Sequence, residues 1–144
     1  MIRILGVGSP FGADRLGWDA IDHLQSRSPH GCELLKLDRP GPALLRYLEG
    51  VEQVVIIDAV AQGVAAGEPV LLKREALEDP DALTSCHGFG VAEALALAAS
   101  LDGLPPRIDL IGVGAGQDPA ERPALNVPQL ESLLEQLNVR LKPH

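Results

Sequence analysis

Aromatic side chains are scarce in this 144-residue chain, which holds one Trp, one Tyr and two Phe, 3% of the sequence. Its core is therefore expected to be aliphatic, drawn from the Leu, Val, Ile and Ala behind a 46% hydrophobic composition. Cysteine is scarcer still: Cys32 and Cys86 form no CxxC pair and are too few for a disulfide framework, so buried or free thiols are expected. Basic residues are outnumbered, 12 Lys and Arg against 20 Asp and Glu, for a net charge of −8. That balance argues against a nucleic-acid partner, which needs a basic face, and against an anionic membrane surface. No apolar run approaches the ~20 residues that span a bilayer. Met1-Ile2-Arg3-Ile4-Leu5 goes directly into strand-like sequence without a secretory pattern, so a cytoplasmic location is expected. No G-x-S-x-G elbow, Walker A loop or H-E-x-x-H signature is present.

What the chain does have is an alternation of short apolar runs and helical stretches. Its length suits one domain able to bury roughly two-thirds of its unfolded surface. Ile2–Gly8 reads as a strand buried on both faces. Leu16–Ser26 places Leu16, Ala20, Ile21 and Leu24 at helical spacing, and Ser28-Pro29-His30-Gly31 ends that pattern. Cys32–Leu37 is a second strand. Pro40-Gly41-Pro42 opens a short helix carrying Leu44, Leu45 and Leu48. Gln53–Ile57 is the clearest buried strand, with Asp58 expected to terminate it. Glu68–Lys73 reads as a fourth strand at an edge. Gly88–Leu101 follows as an alanine-rich helix, Arg107–Val113 as the last strand, and Val127–Leu141 as a closing amphipathic helix with Leu130, Leu133, Leu134 and Leu137 in one stripe. There is no internal repeat, low-complexity tail or dividing linker. Residues 1–144 are thus expected to form a single three-layer α/β/α domain around a twisted, mostly parallel sheet of about five strands.

Gly6-Val7-Gly8 invites a dinucleotide-binding reading, which fails on inspection. The third glycine of G-x-G-x-x-G would fall on Phe11, Pro10 intrudes on the turn, and Asp38 comes too late to serve the ribose. No bound organic cofactor is expected. Three other residues draw attention because open α/β sheets bind ligands beyond the carboxyl ends of their strands. Asp14 lies in the loop after the first strand; taken alone it reads as a helix N-cap or a first-turn acid. Asp58 closes an apolar run, where a partly desolvated carboxylate requires a donor, a cation or a metal. His87, in Thr84-Ser85-Cys86-His87-Gly88, would alone pass for a loop histidine. Together, two carboxylates and an imidazole suit a borderline divalent cation. Cys86-His87 also suggests a thiol–imidazole dyad, although sequence neighbours usually point in different directions. His23, near Asp19 and Asp22, is assigned a surface role.

These residues recur in an ordered context. Gly6 to Trp18, Val54-Val55-Ile56-Ile57-Asp58-Ala59-Val60, Ser85-Cys86-His87 through Leu95, and Asp109-Leu110-Ile111-Gly112-Val113-Gly114 come in the order seen in the hydrogenase maturation proteases, which this chain resembles. That family opens with G-x-G-N-x-L-x-x-D-[DE]-G-x-G. Here Ser9 stands for the Asn and Ala13-Asp14 for the acidic pair, with the loop taken one residue shorter and Arg15-Leu16 replacing a glycine–hydrophobic pair.

The resemblance implies an endopeptidase, of aspartyl type by its carboxylates, that trims the C-terminal extension from a nickel-loaded hydrogenase large-subunit precursor. Nickel would arrive bound to the precursor, and Asp14, Asp58 and His87 would serve as its ligands and as the catalytic residues. Either the metal or a carboxylate would activate the attacking water. Two alternatives stay open: a stand-alone metal-dependent hydrolase at the same triad, and a non-catalytic nickel- or precursor-binding module. A monomer is expected.

Overall fold

β1 (Ile2–Gly8) runs through the middle of the sheet because its last five residues are buried on both sides. It pairs in parallel with β2 (Cys32–Asp38) and with β3 (Gln53–Val60). β3 pairs in parallel with β5 (Arg107–Gly114), and β4 (Pro69–Leu72) closes the edge antiparallel to β5. The spatial order is β2-β1-β3-β5-β4. The computed structural model describes residues 1–27, 29, 31–38, 41–60, 64–72, 105–118 and 120–142. His87, Cys86 and the helix expected over Gly88–Leu101 lie outside them.

Two cores form on the faces of this sheet. α1 (Leu16–Arg27) and α2 (Val127–Gln136) cover one face, burying Leu16, Ile21, Leu24, Leu130 and Leu134 against Ile4, Val55, Ile57 and Ile111. A 3-10 helix, Gly41–Leu48, covers the other and packs Leu44 and Leu48 against Leu5, Val7, Val54 and Ile56. The alternate residues of β3 thus serve opposite cores, as the two-residue period of a strand requires. The layering is the expected α/β/α arrangement. The leucines opening at Gly41 form a 3-10 rather than an α-helix, and they still bury one side.

Two boundaries differ from expectation by more than one residue. β3 does not end at Asp58: pairing continues through Asp58↔Gly112, Ala59↔Val113 and Val60↔Gly114, and all eight β3 residues are buried. A charged side chain does not stop a strand whose backbone still has a partner. The closing helix ends at Gln136, five residues before Leu141. Leu137 acts as its C-cap, and Asn138 takes φ 66°, a left-handed conformation that Asn tolerates and that ends helices. Leu137 and Val139 remain buried, so the apolar periodicity survives the helix that it seemed to mark. At the other end, the Asn126 side chain caps α2 by accepting from Gln129 N at 3.2 Å, and its amide donates to Glu68 at 3.0 Å. Among the described residues, no helix is long and apolar enough to cross a membrane.

His23 joins the two helices instead of facing solvent. Its Nε2 lies 2.7 Å from Glu131 Oε2, and Arg27 pairs with the same carboxylate. Arg27 also donates to the Lys142 carbonyl at 2.8 Å, tying the C-terminal stretch to α1. The hydrogen bond from His23, with the nearby Arg27 guanidinium, holds the Glu131 carboxyl below its usual 4.5. A carboxylate depressed in the folded state stabilises above its unfolded pKa, and the contribution is lost as pH falls through the folded value. Glu131→Gln is therefore expected to cost about 1–2 kcal/mol at neutral pH, as loss of charge-assisted bonds does. The gap from wild type should narrow below about pH 4.5 in denaturant titrations; a gap that persists unchanged in acid would refute this account.

Candidate functional site

The seam between β1 and β3 is where chain direction across the sheet reverses: from β1 the chain goes to β2 on one side and later returns to β3 on the other. Such switch points open a crevice beyond the carboxyl ends of the strands. The last β1–β3 pair is Gly6↔Ile57, so Asp58 is the first β3 residue beyond it. It keeps its bond pattern to β5 opposite Gly112, which offers no side chain. Asp58 is only 4% exposed. By the alternation of β3 it belongs to the face of Val54 and Ile56.

Asp14 reaches the same end of the seam from the other face. After β1 the chain enters a 3-10 turn, Gly12–Arg15, which packs against β3 and buries Ala13 in the α1-side core. Of the two local roles expected for Asp14, cap and first-turn acid, it takes the second. The cap position is Phe11, without a side-chain bond, and Asp14 instead receives the Ser9 hydroxyl at Oδ2, 3.3 Å away. The Ser9 amide donates to the Asp14 carbonyl at 3.1 Å, closing the loop a second time. Ser9 is 3% exposed, and Ser9, Asp14 and Asp58 all make further interactions.

Two glycines make this compact loop possible. A Cβ on Gly8 would collide with the Asp14 carbonyl oxygen, and one on Gly17 with the carbonyl oxygens of Val7 and Ile57. Gly17 thereby lets the first turn of α1 lie directly on the β1–β3 seam. The importance of Ser9 was missed in the sequence, where it registered only as a replacement for Asn. A small hydroxyl residue directly after the last glycine of a strand and five residues before an acid was the available signal.

Charges surround the loop in a paired array. Arg15 bonds Asp19 at 3.1 Å and Asp22 at 2.9 Å, Lys36 of β2 pairs with Asp22, and Arg122 from the segment after β5 lies 3.6 Å from Asp19. Burial lifts the Asp19 carboxyl above its usual 3.8, against the opposing pull of Arg122 and Arg15. Asp19 thus links the segment after β5 to the helix that follows the Asp14 loop. Trp18 braces the same region: its Nε1 donates to the Leu37 carbonyl at 3.1 Å, and the Arg15 guanidinium sits 5.8 Å from its ring centroid. Asp14 and Asp58 are thus both placed at the carboxyl end of the seam. The third expected ligand, His87, is outside the described residues, and among those residues no group of three His, Cys, Asp or Glu forms a metal cage.

An open, doubly wound α/β fold with carboxylates at its switch point is the class that these features define. The comparisons with known proteins narrow it. Residues 22–126 match the hydrogenase maturation protease (HycI) family model, and the chain belongs to that family. The hydrogenase expression/formation protein HoxM of Azotobacter vinelandii is 30% identical over 119 residues, covering 78% of this chain and 56% of that protein. This chain thus spans little more than half the length of that relative. Among solved structures, the hydrogenase maturating endopeptidase HybD of E. coli superposes with a TM-score of 0.73 at 22% identity, over 99% of this chain and 97% of that one. The NiFe hydrogenase maturation protease HybD of Thermococcus kodakarensis superposes with a TM-score of 0.70 at 26% identity, over 94% and 97%.

If Gly17 sets the distance between α1 and the seam, then Gly17→Ala should destabilise by about 1–3 kcal/mol, the range for forcing atoms into a packed site. Thermal unfolding should register this as a clear fall in Tm. An unchanged Tm would show that the helix can lift off the strands without cost.

Proposed function

We propose that this chain is an endopeptidase that removes the C-terminal extension of a nickel-loaded hydrogenase large-subunit precursor. Asp14, Asp58 and His87 are assigned as the side chains that engage the precursor's nickel and direct hydrolysis beside it. The observation that carries this reading is the placement of Asp58, buried in the strand yet one residue beyond the last β1–β3 pair. A carboxylate there stands at the mouth of the switch-point crevice, where its oxygens suit a divalent metal delivered by a substrate.

The family motif supports Asp14 as the second carboxylate. The motif places a glycine three residues beyond its second acid, and Gly17 stands three residues beyond Asp14. Gly17 is also the residue whose bare Cα the strands require. With Trp18 in that role the helix could not approach the seam, so the one-shorter loop is the register that the packing favours.

The reaction on this reading is addition of water to the scissile carbonyl, followed by breakage of the C–N bond with proton transfer to the departing amine. The precursor's nickel, presented with open positions, would polarise the carbonyl or acidify the water. Carboxylates at the switch point would orient the water and can accept its proton. Oxygen and imidazole donors suit Ni²⁺, which binds strongly within the divalent series.

Mass spectrometry of the precursor before and after incubation tests the reading. The wild-type protein should shorten the nickel-loaded precursor by its C-terminal extension, and Asp58→Asn should lower the rate by at least about 100-fold. Trimming by Asp58→Asn at the wild-type rate would remove Asp58 from the site. Binding by wild type without trimming would identify a docking module, and rapid hydrolysis of short unrelated peptides would identify a stand-alone hydrolase.

A further inference from the structure

Phe11 is 74% exposed in a chain that spends few aromatic residues anywhere. Among the described residues, the other exposed large apolar side chains are Met1, the first residue, and Leu71 on the edge strand β4. Isolated apolar residues on a surface are common and carry no message by themselves. Phe11 differs in where it stands and in how its backbone is held. It lies between the end of β1 and the Asp14 turn, in extended conformation with φ −111° and ψ 128°. Its N–H donates to the Ser9 hydroxyl oxygen at 3.5 Å, and that hydroxyl in turn donates to Asp14 Oδ2 at 3.3 Å. One buried serine therefore fixes both the carboxylate and the backbone of the exposed ring.

The contrast with Trp18 sharpens the point. Trp18 is tied down by its Nε1–H bond to the Leu37 carbonyl and by the Arg15 guanidinium near its ring. Phe11 has the backbone restraint without cover for its side chain. A partner that brings a metal to Asp14 must cover the loop on which Phe11 stands, so the ring is continuous with the carboxylate site. Aromatic side chains seated in pockets near the centre of an interface carry a large share of binding energy, and with two side-chain torsions Phe loses little freedom on docking.

On the proteolytic reading above, we propose that Phe11 is a substrate-docking residue whose ring seats in an apolar pocket of the large-subunit precursor next to the metal that the precursor presents. It sets the approach of substrate to Asp14 and Asp58 without taking part in bond breaking.

The test combines precursor affinity with steady-state kinetics for wild type, Phe11→Ala and Phe11→Leu on the nickel-loaded precursor. Phe11→Ala should raise both Kd and KM about tenfold or more while kcat stays within about twofold of wild type. Phe11→Leu should recover part of the loss, and Tm should not change for either variant because the ring is exposed. Wild-type Kd and KM in Phe11→Ala would overturn the proposal, as would a fall in kcat at unchanged KM, which would mark a disturbed loop. If wild type binds the precursor without trimming it, the proteolytic reading fails while the Kd comparison still decides the role of Phe11. If wild type does not bind the precursor at all, both fall.

Discussion

The close approach of α1 to the β1–β3 seam is the constraint on which the rest of the candidate site depends. Gly17 rests where any side chain would strike the carbonyls of Val7 and Ile57, so the helix begins on the strands themselves. That position leaves the chain from Ser9 to Arg15 little room. It folds into a tight 3-10 turn with Asp14 bonded back to Ser9 through both hydroxyl and amide. On the other face of the sheet Asp58, beside Val54 and Ile56, is buried as well and has lost most of its exposure to water. A helix held farther out would leave a looser loop around Asp14. The Asp14 loop is thus placed by aliphatic packing and backbone sterics, and its own bonds refine the position.

The sheet order explains why this end of the seam is the useful one. Strand β1 sends its successor to one side and β3 lies on the other, so the connections diverge and leave a crevice. Parallel pairing sets the carboxyl ends of β1 and β3 at the same edge, bringing the Asp14 turn and Asp58 there from opposite faces. Family membership adds a chemical purpose to this geometry, and the proposed docking of a metal-bearing precursor uses both faces at once.

Much of the fold was legible in the sequence because the strands are short apolar runs and the helices carry three-to-four-residue stripes. What escaped were features decided by backbone pairing or conformation. Asp58 looked like a strand terminus because a carboxylate interrupts an apolar run, but hydrogen bonding to Gly112 and beyond does not depend on side-chain polarity. Leu137 and Val139 extended the apparent helix because they are buried, although the left-handed Asn138 had already turned the chain. His23 looked like a surface residue because its sequence neighbours are acidic, and its partner Glu131 is 108 positions away. At the site, Asp58 could be suspected from its apolar context alone. Ser9 was harder to read, because its role depends on a loop closure, hinted at only by its place between the last glycine of β1 and Asp14. The contribution of His87 rests on the family motif, since that residue lies outside the described part of the chain.

The central claim is that carboxylates at the β1–β3 switch point reach a metal carried by the substrate. Nickel K-edge absorption of the nickel-loaded precursor, recorded alone and after rapid freezing with the protein, tests this most directly. The account predicts added oxygen or nitrogen scattering around nickel with wild type and less of it with Asp58→Ala. A nickel environment that stays unchanged while wild type trims the precursor would contradict it.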